Sequence, residues 1–272
     1  MFLLSLLFGA FVGLSLGLTG GGGAIFAVPL LIFGLAVEPR QAVGISLTAV
    51  GATSAVGFVA RWISGQVEIV TGLMFALAGM IGAPIGAWLT GMISQRQLLV
   101  LFAFLMIVVA TRMWISAHST RAVVTGVLPN DADSPTCRRD LQGNLYLTSP
   151  CALLLIMLGL LTGVLSGLFG IGGGFVIVPA LVLFSGMGIH RAIGTSLLVI
   201  ALVSIAGVAA HIWAGRDIPL DATLYFVAGG VLGMFAGTWA GGYLSGPLLQ
   251  KVFAAAIIAV AFLVVLRTTR YP

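Results

Sequence analysis

Two glycine-rich stretches are the most informative part of this sequence: GLTGGGGAIFAVPLLI at residues 17–32 and GLFGIGGGFVIVPALV at residues 167–182. Each lies in a long apolar run. Consecutive glycines interrupt a helix because glycine loses more conformational freedom there than any other residue. Within a membrane, backbone groups freed by such a break are tolerated only beside protein or a water-filled cavity. We therefore predict two helix breaks; the alternative is that the glycines serve only close helix packing.

The two stretches belong to an internal repeat with an offset of 150 residues. Polar residues and prolines match across this offset as well as glycines: Val28, Pro29, Ala42, Gly44, Ser46 and Leu47 match Val178, Pro179, Ala192, Gly194, Ser196 and Leu197. Internal repeats are common in secondary transporters, whose substrate site lies where the halves meet. The pattern predicts an N-terminal transmembrane repeat over residues 1–115, a polar connector over 116–150 and a C-terminal transmembrane repeat over 151–272.

The composition excludes a soluble protein. Hydrophobic residues make up 60% of the chain and charged residues only 7%, with a mean hydropathy of +1.20. A soluble enzyme, a nucleic-acid-binding protein or a disordered chain would need far more polar side chains. Unbroken apolar runs exclude a transmembrane β-barrel. We predict an all-α polytopic membrane protein with about eight transmembrane helices, within a range of about 7–10. The first apolar segment lacks signal-peptide features, so we expect it to be kept.

The number of crossings depends on how segments 2–18 and 24–36 are interpreted. Each is short for a span and together they are too long for one, so they fit a tilted broken helix, a re-entrant hairpin or two short spans. If each such pair crosses the membrane once, the repeats are parallel and the two sides of the membrane carry eight and four basic residues. If each pair crosses twice or not at all, the repeats are inverted and the two sides carry five and seven. The positive-inside rule favours eight crossings, with both termini and the connector in the cytoplasm. An inverted arrangement stays open.

The glycine breaks are the candidate binding site. A helix that starts just after a glycine run points its unpaired N–H groups and its positive dipole end at the break, which suits an anion without a buried cation. The expected substrate-binding residues are the break glycines and nearby hydroxyls: Gly20, Gly21, Gly22, Gly23, Ser46, Gly170, Gly172, Gly173, Gly174, Thr195 and Ser196. For the hydroxyls, the alternative is a hydrogen bond to helix backbone. We expect Pro29 and Pro179 to shape the short segments.

Few charged residues accompany this site. Arg40 and the pair His190 and Arg191 precede the third apolar segment of each half, where they could attract an anion at an entrance; the alternative is a solvated loop charge. Acidic residues lie in predicted loops and segment ends, which argues against a cation transporter and leaves protons as an unassigned coupling ion. No metal spacing, nucleotide motif or catalytic set is present. We expect no cofactor, metal, nucleic-acid partner or enzymatic activity.

The two stretches and the blocks AVGISL and AIGTSL that follow them resemble the TauE/SafE family, also called the toluene sulfonate uptake permease (TSUP) family. The later blocks GMIGAPIGAWLTG and GGVLGMFAGTWAGG are similar to its third-helix pattern, so the resemblance covers nearly the whole chain outside the connector. It implies a bacterial or archaeal inner-membrane protein with about eight helices. It also implies secondary transport of sulfur-containing anions such as sulfite, thiosulfate, sulfoacetate or organosulfonates.

The functional prediction is a transporter that moves a small anion by alternating access between the two repeats. Its expected partners are that anion and the lipid bilayer. One alternative is a passive anion channel. Another is a non-transporting membrane protein that acts in assembly or sensing through the connector.

Overall fold

The computed structural model describes residues 2–123, 149–185, 187–240, 255 and 257–262. These residues form helices, with no β-strand among them: α1 (Phe2–Thr19), α2 (Gly22–Gly34), α3 (Pro39–Ile63), α4 (Ile69–Met92), α5 (Gln95–Val123), α6 (Ser149–Phe169), α7 (Gly174–Ser185), α8 (Ile189–Trp213) and α9 (Leu220–Ala240). Most of the predicted connector and of the last apolar segment lies outside the described residues.

Six of the helices are long and apolar enough to cross a membrane: α1, α3, α4, α6, α8 and α9. Helix α5 is apolar over Gln95–Thr111. This confirms the all-α polytopic membrane fold. Helix α7 has 12 residues, or about 18 Å, which cannot cross a hydrocarbon core of about 30 Å. Helix α2 is equally short and changes form along its length, from a 3₁₀ turn over Gly22–Phe26 to a π turn over Leu30–Gly34 that follows Pro29. Pro179 lies inside α7.

The first helix of each half packs on the other half of the chain, with α1 along α9 and α6 along α4. The contacts are backbone to backbone. A methyl group on Gly13 would overlap the carbonyl oxygen of Gly230, and one on Gly163 would overlap that of Gly79. Gly163 and Gly79 are the repeat equivalents of Gly13 and Gly230. Only small residues permit this approach, which stabilises membrane helices through van der Waals contact.

The contacts also give the directions of the helices. Contact positions advance together along α1 and α9 and along α3 and α9: Gly9 with Phe226, Gly17 with Met234, Thr53 with Gly230 and Gly57 with Met234. Helices α1, α3 and α9 are therefore parallel. Since α1 and α3 begin at the same face of the protein, α2 must bring the chain back to that face. Of the three arrangements considered for this pair, the helix directions exclude a single tilted broken helix, and they agree with either a re-entrant hairpin or two short spans.

Helices α3 and α8 are repeat equivalents, yet they run in opposite directions. Their contact pairs run in opposite order: Gly44 with His211, Gly51 with Ser204 and Gly57 with Leu197. The parallel repeats that the charge count favoured are therefore wrong, because the α1–α2 pair returns to its own face instead of crossing once. We call the face where α1 and α3 begin the α1 face. Helix α5 ends and α6 begins at the opposite face, the connector face, so the N terminus and the connector cannot both be cytoplasmic.

A matched pair of cysteine variants tests this inversion. Gly65 follows α3 and its repeat equivalent Gly215 follows α8. Both have positive φ, and no described residue lies within 4 Å of a Cβ atom built on either. In a background in which Cys137 and Cys151 are serine, we expect Gly65→Cys and Gly215→Cys to react with a membrane-impermeant maleimide from opposite sides. Labelling of both from the same side of intact cells would contradict the inverted arrangement.

Candidate functional site

The two helix breaks lie at the predicted glycines. Helix α1 stops at Thr19 and helix α6 at Phe169, and a new helix starts within a few residues of each. The backbone between them adopts conformations that side chains rarely allow: φ is +73° at Gly20 and Gly170, +153° at Gly21, +67° at Gly172 and +70° at Gly173. Only glycine takes these values at little cost. The glycines therefore break the helices, which packing alone would not require.

The breaks of the two halves meet. A Cβ atom built on Gly21 would lie 2.5 Å from the Cα atom of Gly174, and one built on Gly174 would lie 2.5 Å from that of Gly21. The two backbones are thus in direct contact, and no side chain fits between them. In the first stretch, Ala24 takes the place that Gly174 holds in the second, and it is fully buried. In this conformation the junction between the breaks is closed.

Several amide groups at the junction are unpaired. In the first break, Gly20 N–H donates to Leu16 O and Gly23 N–H donates to the Thr19 hydroxyl at 3.3 Å. The N–H groups of Gly21 and Gly22 have no acceptor among the described residues.

The second break repeats this pattern. Gly170 N–H donates to Ser166 O, whereas the N–H groups of Gly172 and Gly173 have no acceptor within the described part of the chain. At least four spare amide donors among the described residues therefore lie at the starts of α2 and α7, where the helix dipoles add positive potential. This arrangement can bind an anion with neutral groups.

Ser46 and Ser196 join the two halves at the breaks. The Ser46 hydroxyl donates to Gly170 O at 2.6 Å, and the Ser196 hydroxyl donates to Gly20 O at 2.6 Å. Both side chains are fully buried. The sequence predicted either substrate contacts or bonds to helix backbone; the structure places both hydroxyls on the backbone of the opposite break, and Ser196 Oγ also lies 2.8 Å from Ile193 O in its own helix. Their protons are therefore engaged in this conformation.

Thr195 does not face the breaks. Its hydroxyl accepts a hydrogen bond from Glu68 N–H at 3.0 Å and lies 3.6 Å from the Met187 sulfur. Glu68 is the residue just before α4, and an N–H group at a helix start has no acceptor within the helix. The Thr195 hydroxyl accepts a hydrogen bond from this N–H group. The structure thus brings Ser46 and Ser196 to the glycines and places the Thr195 hydroxyl elsewhere.

Four other buried hydroxyls have no hydrogen-bond partner among the residues that the structure describes: Ser15, Ser54, Ser166 and Ser204. Ser54 and Ser204 are repeat equivalents near the crossing of α3 and α8, where Ser204 packs on Gly51. Ser15 packs on Gly23 of the first break. A buried hydroxyl without a partner is costly, which makes these side chains candidate donors to a substrate. In the sequence, the only sign of these residues is that Ser54 and Ser204 match across the repeat. The sequence does not distinguish them from serines that bond their own helix.

The predicted entrance charges lie on different faces. Arg40 begins α3 at the α1 face, where its Nη2 donates to Ile93 O at 3.3 Å. His190 and Arg191 begin α8 at the connector face and are exposed. They cannot line one entrance together. Among the residues that the structure describes, no three His, Cys, Asp or Glu side chains lie close enough to hold a metal ion.

Comparison with known proteins gives a consistent result. The sulfite exporter TauE/SafE family matches residues 5–264. The chain is 35% identical to a probable membrane transporter protein of Xylella fastidiosa strain Temecula1, over 96% of this chain and 93% of that protein. It is 28% identical to the probable membrane transporter protein YunE of Bacillus subtilis, over 97% and 94%.

A third relative, a probable membrane transporter protein of Haemophilus influenzae, is 28% identical over 95% of this chain and 96% of its own. No solved structure matches the chain. The family match covers both halves, both glycine breaks and all six apolar spanning helices. This chain is therefore a multi-pass membrane transporter that belongs to the sulfite exporter TauE/SafE family.

Proposed function

We propose that this protein is a secondary transporter of small sulfur-containing anions, such as sulfite, thiosulfate, sulfoacetate or organosulfonates, in the bacterial or archaeal inner membrane. The observation that carries the proposal is the junction of the two breaks, where Gly21, Gly22, Gly172 and Gly173 leave amide donors without acceptors. The name of the matching family, sulfite exporter, supports the choice of anion. A site built from N–H groups and hydroxyls binds an oxyanion without the cost of burying a cation.

Neutral donors also suit release. A transporter must bind its substrate well enough to select it and weakly enough to let it leave. Amide and hydroxyl groups supply hydrogen bonds of ordinary strength, whereas a buried guanidinium would hold an anion more tightly. The described spanning helices bury no carboxylate, since Glu38, Glu68, Asp217 and Asp221 lie at helix ends or in loops. An anion at the junction therefore meets no repulsive charge.

We propose that the anion enters when the breaks separate. With Gly21 and Gly174 in contact, the junction has no room for a substrate, so this conformation corresponds to a closed state. If α2 and α7 move apart, the Ser46 and Ser196 hydroxyls lose the carbonyls of Gly170 and Gly20 and become donors to the anion. Because the two halves are inverted, the first break is related to the α1 face as the second break is related to the connector face. Alternating access requires such equivalent arrangements toward the two sides of the membrane.

Flux into proteoliposomes tests the proposal. Purified protein is reconstituted, and uptake of sulfite, thiosulfate, sulfoacetate, taurine and sulfate is measured with and without an imposed pH gradient, against empty liposomes. We expect saturable uptake of at least one sulfur anion, accelerated by the gradient if protons are the coupling ion. Uptake that is not saturable and ignores every gradient would indicate a passive channel. Absence of flux from folded protein would refute the proposal.

The orientation of the faces is a separate proposal. In the inverted arrangement the connector face carries seven basic residues and the α1 face five, so we propose that the connector is cytoplasmic and the N terminus external. One observation favours the reverse: Cys151, at the start of α6, is disulfide-bonded, and such bonds persist outside the cytosol. The maleimide experiment decides, because only an external Gly215→Cys would react in intact cells under our assignment.

A further inference from the structure

Three basic side chains from both halves gather at the α1 face. They are Arg40 in the first turn of α3, His211 in the last turn of α8 and Arg216 in the following loop. Arg216 Nη1 lies 3.1 Å from His211 Nε2, and Arg216 Nη2 donates to Ala87 O at 2.9 Å. Since Arg40 donates to Ile93 O, both guanidinium groups lie at the C-terminal end of α4.

The hydrogen bonds within this basic cluster leave only donors free. The Nε2 atom of His211 accepts from Arg216, so the proton of the ring is on Nδ1. His211 is fully buried, and its Nδ1 has no hydrogen-bond partner in the described part of the chain. The backbone of Arg40 is near the ring but outside hydrogen-bond geometry. Arg40 Nε is also buried, with no hydrogen-bond partner from any described residue. A site whose unused groups are all donors fits an anion.

The cluster also lacks a counter-charge. Neither Arg40 nor Arg216 forms an ion pair within the described part of the chain, and the nearest acid in sequence to Arg40, Glu38, accepts instead from Gln95 at 2.9 Å. Burial, and then the positive charge of Arg40, lower the pKa of Arg216. Neutralising the C-terminal dipole of α4 explains one N–H group of each arginine. It does not explain why two cations lie together without a counter-charge, which is costly.

The equivalent positions at the connector face differ. His190, Arg61 and Gln66 take the places of Arg40, His211 and Arg216. There Arg61 donates to the Gln66 side chain at 2.9 Å within one repeat, and His190 is exposed. The cluster is therefore a property of one face and not a shared structural element of the repeat.

We propose that Arg40, His211 and Arg216 form a second anion site, which binds a small oxyanion at the α1 face on its way to or from the glycine breaks. This inference rests on the proposed function. Arg40 and Ser46 are six residues apart on α3, or about 9 Å along the helix axis. Gly44 lies between them, next to the His211 ring. An anion held by the fork of a guanidinium would therefore be one short step from the junction.

Thermal stability of the purified protein in detergent tests this site without any need for transport. The probes are sodium thiosulfate and sodium sulfate, each compared with sodium chloride at the same ionic strength. We expect at least one of them to raise the unfolding temperature of the wild type. Arg40→Gln and Arg216→Gln should remove that rise, while Arg96→Gln should keep it, because Arg96 is exposed at the same face and takes no part in the cluster. If Arg216→Gln does not fold, Arg216→Lys retains the charge but not the two-pronged geometry and should weaken the rise.

Transport kinetics separate the two proposals. For flux that starts at the α1 face, we expect Arg216→Gln to raise KM at least tenfold with little change in kcat, and to weaken the salt dependence of uptake. Wild-type KM and an intact thermal response in both Arg40→Gln and Arg216→Gln would overturn the second site while leaving the transporter assignment in place. Absence of sulfur-anion flux from a wild type whose oxyanion response depends on Arg216 would refute the proposed function alone. A wild type without any oxyanion response would overturn the second site.

Discussion

Replacing Gly174 by alanine is expected to reduce anion transport at least tenfold. The added methyl group would lie 2.5 Å from both the Gly21 Cα atom and the Ile200 Cδ1 atom, so the two breaks must move apart. Gly174 does not have a positive φ, so the effect arises from contact and not from backbone strain. Overpacking of this kind costs about 1–3 kcal/mol. Flux in proteoliposomes and the unfolding temperature of the purified variant measure the two consequences separately.

Gly188→Ala is the matched control. Gly188 precedes α8 in an ordinary extended conformation, with φ of −60°, and nothing lies within 4 Å of a Cβ atom placed there. It should transport as the wild type does. Gly22→Leu and Gly172→Leu extend the test, because they place a large side chain among the spare amide groups. Wild-type flux in Gly174→Ala, or in both leucine variants, would show that the junction is not the substrate site.

The second large effect is expected from the serine pair. Ser46→Ala and Ser196→Ala each remove a hydrogen bond between the halves and leave the carbonyl oxygen of Gly170 or Gly20 without that donor. The loss of stability should be about 0.5–2 kcal/mol, since hydrogen bonds inside membrane bundles contribute modestly. The transport rate should fall about tenfold or more. A tenfold fall corresponds to a loss of about 1.4 kcal/mol in stabilisation of the transition state. Unfolding temperature and flux are measured for each variant and for the double variant.

Thr48→Val provides the comparison for this pair. The Thr48 hydroxyl donates to Gly44 O within its own helix at 2.9 Å, so its removal costs a bond of the same kind away from the breaks. We expect near-normal flux. If Ser46→Ala and Ser196→Ala behave like Thr48→Val, the serines would have only a minor structural role, and the proposed exchange of their hydroxyls between carbonyl and anion would be wrong.

The sequence was sufficient to predict the helix breaks and their neighbours. Runs such as GGGG and GIGGG conflict so strongly with helix formation that local chemistry determines the outcome. Ser46 and Ser196 could be placed beside the breaks because the repeat relates them at a fixed offset. The orientation of Thr195, one residue away, could not, because successive residues of a helix point in different directions.

The direction of the repeats could not be predicted, for a physical reason. With so few charged residues, the positive-inside rule compares eight basic residues on one face with four on the other, or seven with five. A single hairpin that does not cross the membrane once reverses the crossing direction of every later segment. The basic cluster depends on those directions. His211 and Arg216 lie about 170 residues from Arg40 in the chain, and they meet it only because α8 ends where α3 begins. Inverted repeats thus create a site that neither half contains.

A structure with bound selenite, a heavier analogue of sulfite, would show whether the junction of the two breaks binds the anion. Anomalous diffraction would locate the selenium atom without ambiguity. We expect a selenium site between the two breaks, with its oxygens within hydrogen-bond distance of N–H groups among Gly21, Gly22, Gly172 and Gly173. Gly21 and Gly174 should no longer be in contact. Selenite bound elsewhere, with Gly21 still packed on Gly174 and no site at the junction in any conformation, would contradict it.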